Sequence, residues 1–141
     1  MTEYSKLKIY SDGGARGNPG PAACGVVIKD LQGQTISKHS KYLGKATNNQ
    51  AEYNGILLGL GEAKKLGAKE VDFYSDSELV VNQLSQNFKV KNLDIQSLFV
   101  KIWNLSVGLK KVRYHHIYRE ENKEADSLVN IELDEKVKGI I

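Results

Sequence analysis

The 141 residues carry 20 Lys and Arg against 17 Asp and Glu, a net charge of +3, with 40% hydrophobic and 26% charged residues. This balance excludes a disordered chain, and the length suits a single domain able to bury a core. No run approaches the ~20 apolar residues of a membrane span, and the N-terminus lacks the apolar stretch of a signal peptide. The lone Cys24 excludes an internal disulfide and lies in the apolar run AACGVVI, where a small buried hydrophobe is expected. A cytoplasmic location, with no membrane partner, is the expectation.

The first predicted element is a strand in which Leu7, Ile9 and Ser11 alternate with Lys8, Tyr10 and Asp12, delivering Asp12 at its exit into the turn-rich segment Gly13 to Pro21. Ala23 to Lys29 is an apolar, β-branched run, Gln32-Gly33 makes a turn, and Thr35 to Tyr42 returns as a third strand of an antiparallel meander. Thr47-Asn48-Asn49-Gln50 matches a capping box, so a helix is predicted from Asn48 to Leu66, with Ile56, Leu57, Leu60 and Ala63 on its apolar face and Gly67 at its end. Gly55, Gly59 and Gly61 each weaken that helix by roughly 1 kcal/mol relative to alanine, which points to close packing of its backbone on a sheet.

Glu70 to Ser75 is the next predicted strand, exiting at Asp76. The S-x-x-E sequence Ser75-Asp76-Ser77-Glu78 predicts a second capping box and a short helix. Asp94 is placed to cap a further helix ending at Gly108, Lys111 to Tyr118 alternates as a strand, and Ala125, Leu128 and Val129 mark a last helix. The tail from residue 135 is weakly patterned and expected to fray. The order is βββαβααβα, which implies a mixed sheet with helices on its faces.

Asp12 and Asp76 each follow a strand directly, where ligands gather in open α/β sheets. If these strands are neighbours, their carboxylates converge, and the repulsion calls for a proton or a cation. Mg²⁺ suits such hard oxygen ligands. Glu52, four residues before Ile56, borders the apolar face of its helix, and Asp126 stands near the start of the last helix. Taken singly, each has a plainer role. Asp12 fits a turn residue, Asp76 an N-cap, Glu52 a solvated helical acid and Asp126 an acid at the helix dipole.

In combination, YSDGGARGNPGPAACGVVI, ATNNQAEYNGILLGL, VDFYSDSELVVNQL and REENKEADSLVN resemble a type 1 ribonuclease H over nearly the whole chain. The resemblance implies a ribonuclease H-like five-stranded mixed sheet of order 3-2-1-4-5, three antiparallel strands followed by parallel ones, flanked by helices. It implies metal ligands at Asp12, Glu52, Asp76 and Asp126, and hydrolysis of the RNA strand of an RNA/DNA hybrid to 5′-phosphate and 3′-hydroxyl ends. Two Mg²⁺ ions, or Mn²⁺ in their place, roughly 3.5–4 Å apart would serve an in-line displacement. Asn18, Asn49 and Gln50 would line the minor groove with backbone groups of Gly13, Gly14 and Asn48, and Thr47 would meet a phosphate of the DNA strand.

Two departures from the family pattern stand out. The extra basic segment that many relatives carry after the second helix is reduced to Gln86 to Asn92, leaving Lys89 and Lys91 as the local bases. The loop histidine found before the last aspartate in many relatives is absent. Arg119 is its candidate substitute, because a guanidinium binds phosphate bidentately. His115 and His116 are expected in the last strand. Double-stranded RNA is a second candidate substrate, a hybrid-binding module without catalysis a different class of answer, and a monomer the expected state.

Overall fold

The computed structural model describes residues 4–138. Its elements are β1 (Lys6–Ala15), β2 (Gly20–Lys29), β3 (Thr35–Ala46), α1 (Asn48–Lys65), β4 (Glu70–Ser75), α2 (Glu78–Leu84), α3 (Leu93–Val107), β5 (Lys111–His116), a 3-10 turn at Arg119–Glu121, and α4 (Lys123–Lys138). The strands form one five-stranded sheet of order β3-β2-β1-β4-β5, as the resemblance implied. β1, β2 and β3 pair antiparallel, while β4 pairs parallel with β1 and with β5.

Alternation along the strands decides which helices cover which face. Leu7 and Ile9 of β1 and Val71 and Phe73 of β4 pack against Tyr53, Ile56 and Leu60 of α1, with Ile95 and Ile102 of α3 closing the same core. On the opposite face a smaller cluster joins Ala23 of β2 to Val129 and Leu133 of α4. The glycines of α1 divide. A Cβ on Gly59 would stand 2.8 Å from Phe73 Cε1, and one on Gly55 3.0 Å from the Asp12 carbonyl oxygen, so both allow the helix to sit close on the sheet. Gly61 meets nothing within 4 Å and has no such role.

Several boundaries differ from those expected. β1 does not end at Asp12 but continues to Ala15, because β2 goes on pairing with it as far as Ala15 opposite Ala22. Its parallel pairing with β4 stops earlier, at Tyr10 opposite Tyr74. β3 runs on to Ala46, and β5 stops at His116 because its partner β4 is exhausted at Ser75. α1 keeps its capping box and ends at Lys65, with Leu66 as the C-cap. Ser77 rather than Ser75 caps α2, accepting the Val80 N–H, since Ser75 is held in β4. Asn92 rather than Asp94 caps α3 and accepts the Ile95 N–H. Asp94 falls in the first turn instead, where its charge suits the helix dipole. The tail expected to fray from residue 135 is helical through Lys138, and residues 139–141 lie outside the described residues.

Candidate metal centre and nucleic-acid cleft

β1 is paired on both edges up to Tyr10 and on one edge beyond it. The divergence of β4 at that point opens a crevice at the end of the parallel strands, with Asp12 on one side and Asp76 on the other. Glu52 enters it from α1. A Cβ on Gly13 would lie 2.3 Å from the Ala51 carbonyl carbon, so only glycine permits this approach of strand and helix. The Gly13 N–H donates to Glu52 Oε1 at 2.6 Å, and the Ser75 hydroxyl donates to Glu52 Oε2 at 3.3 Å. As a result Asp12, Glu52 and Asp76 offer carboxylate oxygens that all lie within 4.8 Å of one another.

Asp126 stands outside that close set. It sits in the first turn of α4, where its Oδ2 accepts from Asn130 Nδ2 at 3.3 Å, and it lines the same cavity of about 430 Å³ as the other three. Arg119, at the head of the 3-10 turn, lines this cavity too, as do Gly13 and Gly14. His115 belongs to β5, as expected, and its Nε2 lies 2.7 Å from Asp72 Oδ1.

Asp12 and Glu52 are each only 8% exposed. Burial pushes the Asp12 carboxyl from 3.8 up to about 7, against hydrogen bonds from Glu52 and the Gly13 N–H. The charges of Asp76 and Asp126 add to the rise. Burial, then the proximity of Asp12, likewise raises Glu52 well above the ordinary carboxyl value. The cluster therefore lacks positive charge, and its donor set is hard oxygen throughout. A divalent cation fits it on both counts.

A second cavity of about 660 Å³ opens beside the first, sharing Asn48 and Asn49 as its boundary. Asn18, Thr47 and Gln50 line it, with Lys89 and Lys91 on the far wall. The start of α1 is heavily cross-braced. Asn18 Oδ1 accepts the Asn48 N–H at 3.0 Å, and Asn48 Oδ1 accepts the Ala15 N–H at 2.8 Å. Thr47 Oγ1 accepts the Gln50 N–H while Gln50 Oε1 accepts the Thr47 N–H. Each amide oxygen is spent on the backbone, so the side-chain NH₂ groups and the Thr47 hydroxyl proton are the donors left to face the cleft.

Two residues of the site escaped the sequence reading. Ser75 was assigned to a cap, yet its hydroxyl orients Glu52. Asn122, to which the sequence attaches no role, is 1% exposed, and its Nδ2 donates to the Ser11 carbonyl at 2.9 Å and to Asp76 Oδ2 at 3.2 Å. Its spacing of four residues before Asp126 was the available signal.

A five-stranded sheet of this order, with acidic residues gathered where the central strands part, defines the class of ribonuclease H-like folds. A family model described as "Reverse transcriptase-like" matches residues 10–131. The bifunctional protein Rv2228c of Mycobacterium tuberculosis is 43% identical over 92% of this chain, which spans only 36% of that protein's length. The solved N-terminal RNase H domain of that protein superposes with a TM-score of 0.93 at 38% identity, covering 97% of this chain and 99% of the domain. LC11-RNase H1, solved in complex with RNA/DNA hybrid, gives a TM-score of 0.89 at 41% identity over 93% of this chain and 99% of its own. The Ribonuclease H of Helicobacter pylori strain HPAG1 is 32% identical over 96% of this chain and 98% of its length. This chain belongs to the ribonuclease H family.

Proposed function

We propose that the chain is a metal-dependent endoribonuclease that hydrolyses the RNA strand of RNA/DNA hybrids and leaves 5′-phosphate and 3′-hydroxyl ends. The observation that carries this reading is the gathering of Asp12, Glu52 and Asp76 within 4.8 Å, beside a cleft of unspent amide donors. Asp12, Glu52, Asp76 and Asp126 would hold the divalent cations, Mg²⁺ or Mn²⁺. When bound, such a pair supplies Lewis acidity to the attacking water and to the leaving oxygen of an in-line displacement.

The chain's own residues select and orient the substrate. The 2′-hydroxyl, which both donates and accepts hydrogen bonds, distinguishes RNA from DNA in the wide minor groove. Asn18, Asn48, Asn49 and Gln50 meet that groove through their side-chain NH₂ groups, beside the backbone of Gly13 and Gly14, and the Thr47 hydroxyl donates to a phosphate of the DNA strand. Arg119, exposed and flanking the carboxylates, binds the phosphate at the cleavage site in place of the loop histidine. Double-stranded RNA presents 2′-hydroxyls on both strands and is the second substrate to compare. The chain acts as a cytoplasmic monomer.

The test is cleavage of an end-labelled hybrid by the wild type, Asp12→Asn and Asp76→Asn, with and without chelator. Cleavage abolished by chelator and reduced at least 100-fold in each variant is expected, since deleting a ligand removes the site's charge complement. Full activity in both variants would overturn the assignment.

A further inference from the structure

Among the described residues, Asn122 Oδ1 is the one buried side-chain polar atom with no hydrogen-bond partner. Both groups that receive its Nδ2, the Ser11 carbonyl and Asp76 Oδ2, can only accept, so the amide cannot be turned round to satisfy Oδ1. An orphaned buried acceptor carries an uncompensated desolvation cost. A residue kept for stability alone does not fit this position, because a side chain with no unmatched group would serve better.

What the amide gains for that cost is its reach. It ties the end of β4 to the backbone of β1 one residue before Asp12, and it holds one oxygen of Asp76. Separately from the carboxamide, the main-chain carbonyl of Asn122 accepts the Asp126 N–H at 3.1 Å in the first turn of α4. Asn122 thereby joins three of the elements that carry the acidic residues. The fourth, α1, is joined separately through Gly13 and Ser75.

We propose that Asn122 is a positioning residue of the metal centre: its carboxamide ties Asp76 to the β1 backbone beside Asp12 and fixes the orientation of Asp76, and thereby the spacing from which divalent cations are held. It touches neither substrate nor cation and acts through Asp76. The inference rests on the metal-dependent reading above. Groups that orient ligands in this way are worth on the order of 10–100-fold in metal affinity.

The experiment is Mn²⁺ titration by calorimetry of the nucleic-acid-free wild type, Asn122→Leu and Asn122→Ala, with circular dichroism to confirm folding and a thermal melt without metal. Asn122→Leu keeps the branching and the number of side-chain heavy atoms and removes both the donors and the orphan. The expected result is Mn²⁺ binding weakened at least tenfold in both variants, while the metal-free melting temperature of Asn122→Leu stays within a few degrees of the wild type. In hybrid cleavage, the Mn²⁺ concentration for half-maximal rate rises by a similar factor and the KM for hybrid does not. Unchanged Mn²⁺ affinity in folded Asn122→Leu would overturn the proposal, whatever its stability. Should the wild type bind Mn²⁺ but not cut hybrid, the substrate assignment fails while the calorimetric comparison still decides the role of Asn122.

Discussion

Ionising the Asp12 carboxylate is costly because the group is buried and faces other acids, and this makes the metal centre a proton site when no cation is present. Its pKa in the folded protein, about 7, lies above the unfolded value of 3.8. The stability it contributes is therefore complete below about 3.8 and is lost as pH rises through about 7. Cations compete for the same oxygens, so their binding strengthens over that window. The metal-free protein should melt at lower temperature as pH rises from 5 to 8, and added Mn²⁺ should raise the melting temperature more at the upper end. A melt series at fixed Mn²⁺ checks this, and a stabilisation independent of pH would contradict it. Of the residues involved, Asp12 and Asp76 were legible because each follows an alternating strand run, although β1 itself continues past Asp12 and it is the parallel pairing with β4 that stops before it. Glu52 and Asp126 became legible only through the family resemblance, since a helical acid carries no local mark of facing inward. Ser75 and Asn122 were hidden because a hydroxyl or amide within a cap or turn motif already has a sufficient local explanation.

Helix α1 shows the same division at the level of elements. Its glycines were expected to share one reason, close packing on the sheet, and the structure separates them. Gly59 faces Phe73 and Ile9, so a methyl group at that position must displace the ring or lift the helix. Gly59→Ala should destabilise by about 1–3 kcal/mol. Gly61 faces open space, and Gly61→Ala should stabilise by up to about 1 kcal/mol by restoring helix propensity. Urea melts of the two variants measure both signs, and equal effects would mean that packing on the sheet is not what sets Gly59 apart. Periodicity, apolar runs and capping boxes together identified the five strands and the four α-helices, because all three are local properties, and they left the 3-10 turn at Arg119–Glu121 unseen. They missed the extension of β1 past Asp12, which depends on where β2 and β4 stop as partners. They also misplaced two caps: Ser75 is held in β4, which leaves Ser77 to cap α2, and α3 starts early enough that Asn92 is its cap and Asp94 falls in the first turn.

For the molecule as a whole, a net charge of +3 says little until the paired cations are set aside. Arg16 is bound to Asp134, Lys29 and Lys38 to Glu124, Lys65 to Glu62, and Arg113 to Asp72. Lys89 and Lys91 make no ion pair among the described residues, and both line the cleft that adjoins the metal centre. With the basic segment of other family members reduced to these few residues, they carry a large share of whatever phosphate binding that wall provides. Each phosphate neutralised releases counterions, giving a slope of about −0.9 per contact in log K against log salt for duplex DNA. Replacing both lysines by glutamine in an Asp12→Asn background, so that hybrid binds without being cut, should reduce the magnitude of that slope by about 1–2 and weaken binding most at low salt. Fluorescence anisotropy over a salt series gives the slope directly. A slope unchanged by the double substitution would mean that the lysines are solvated surface and that the hybrid is gripped elsewhere. A slope reduced as expected would tie the Lys89 and Lys91 side of the cleft to phosphates of the hybrid, leaving the amides of α1 to read its minor groove.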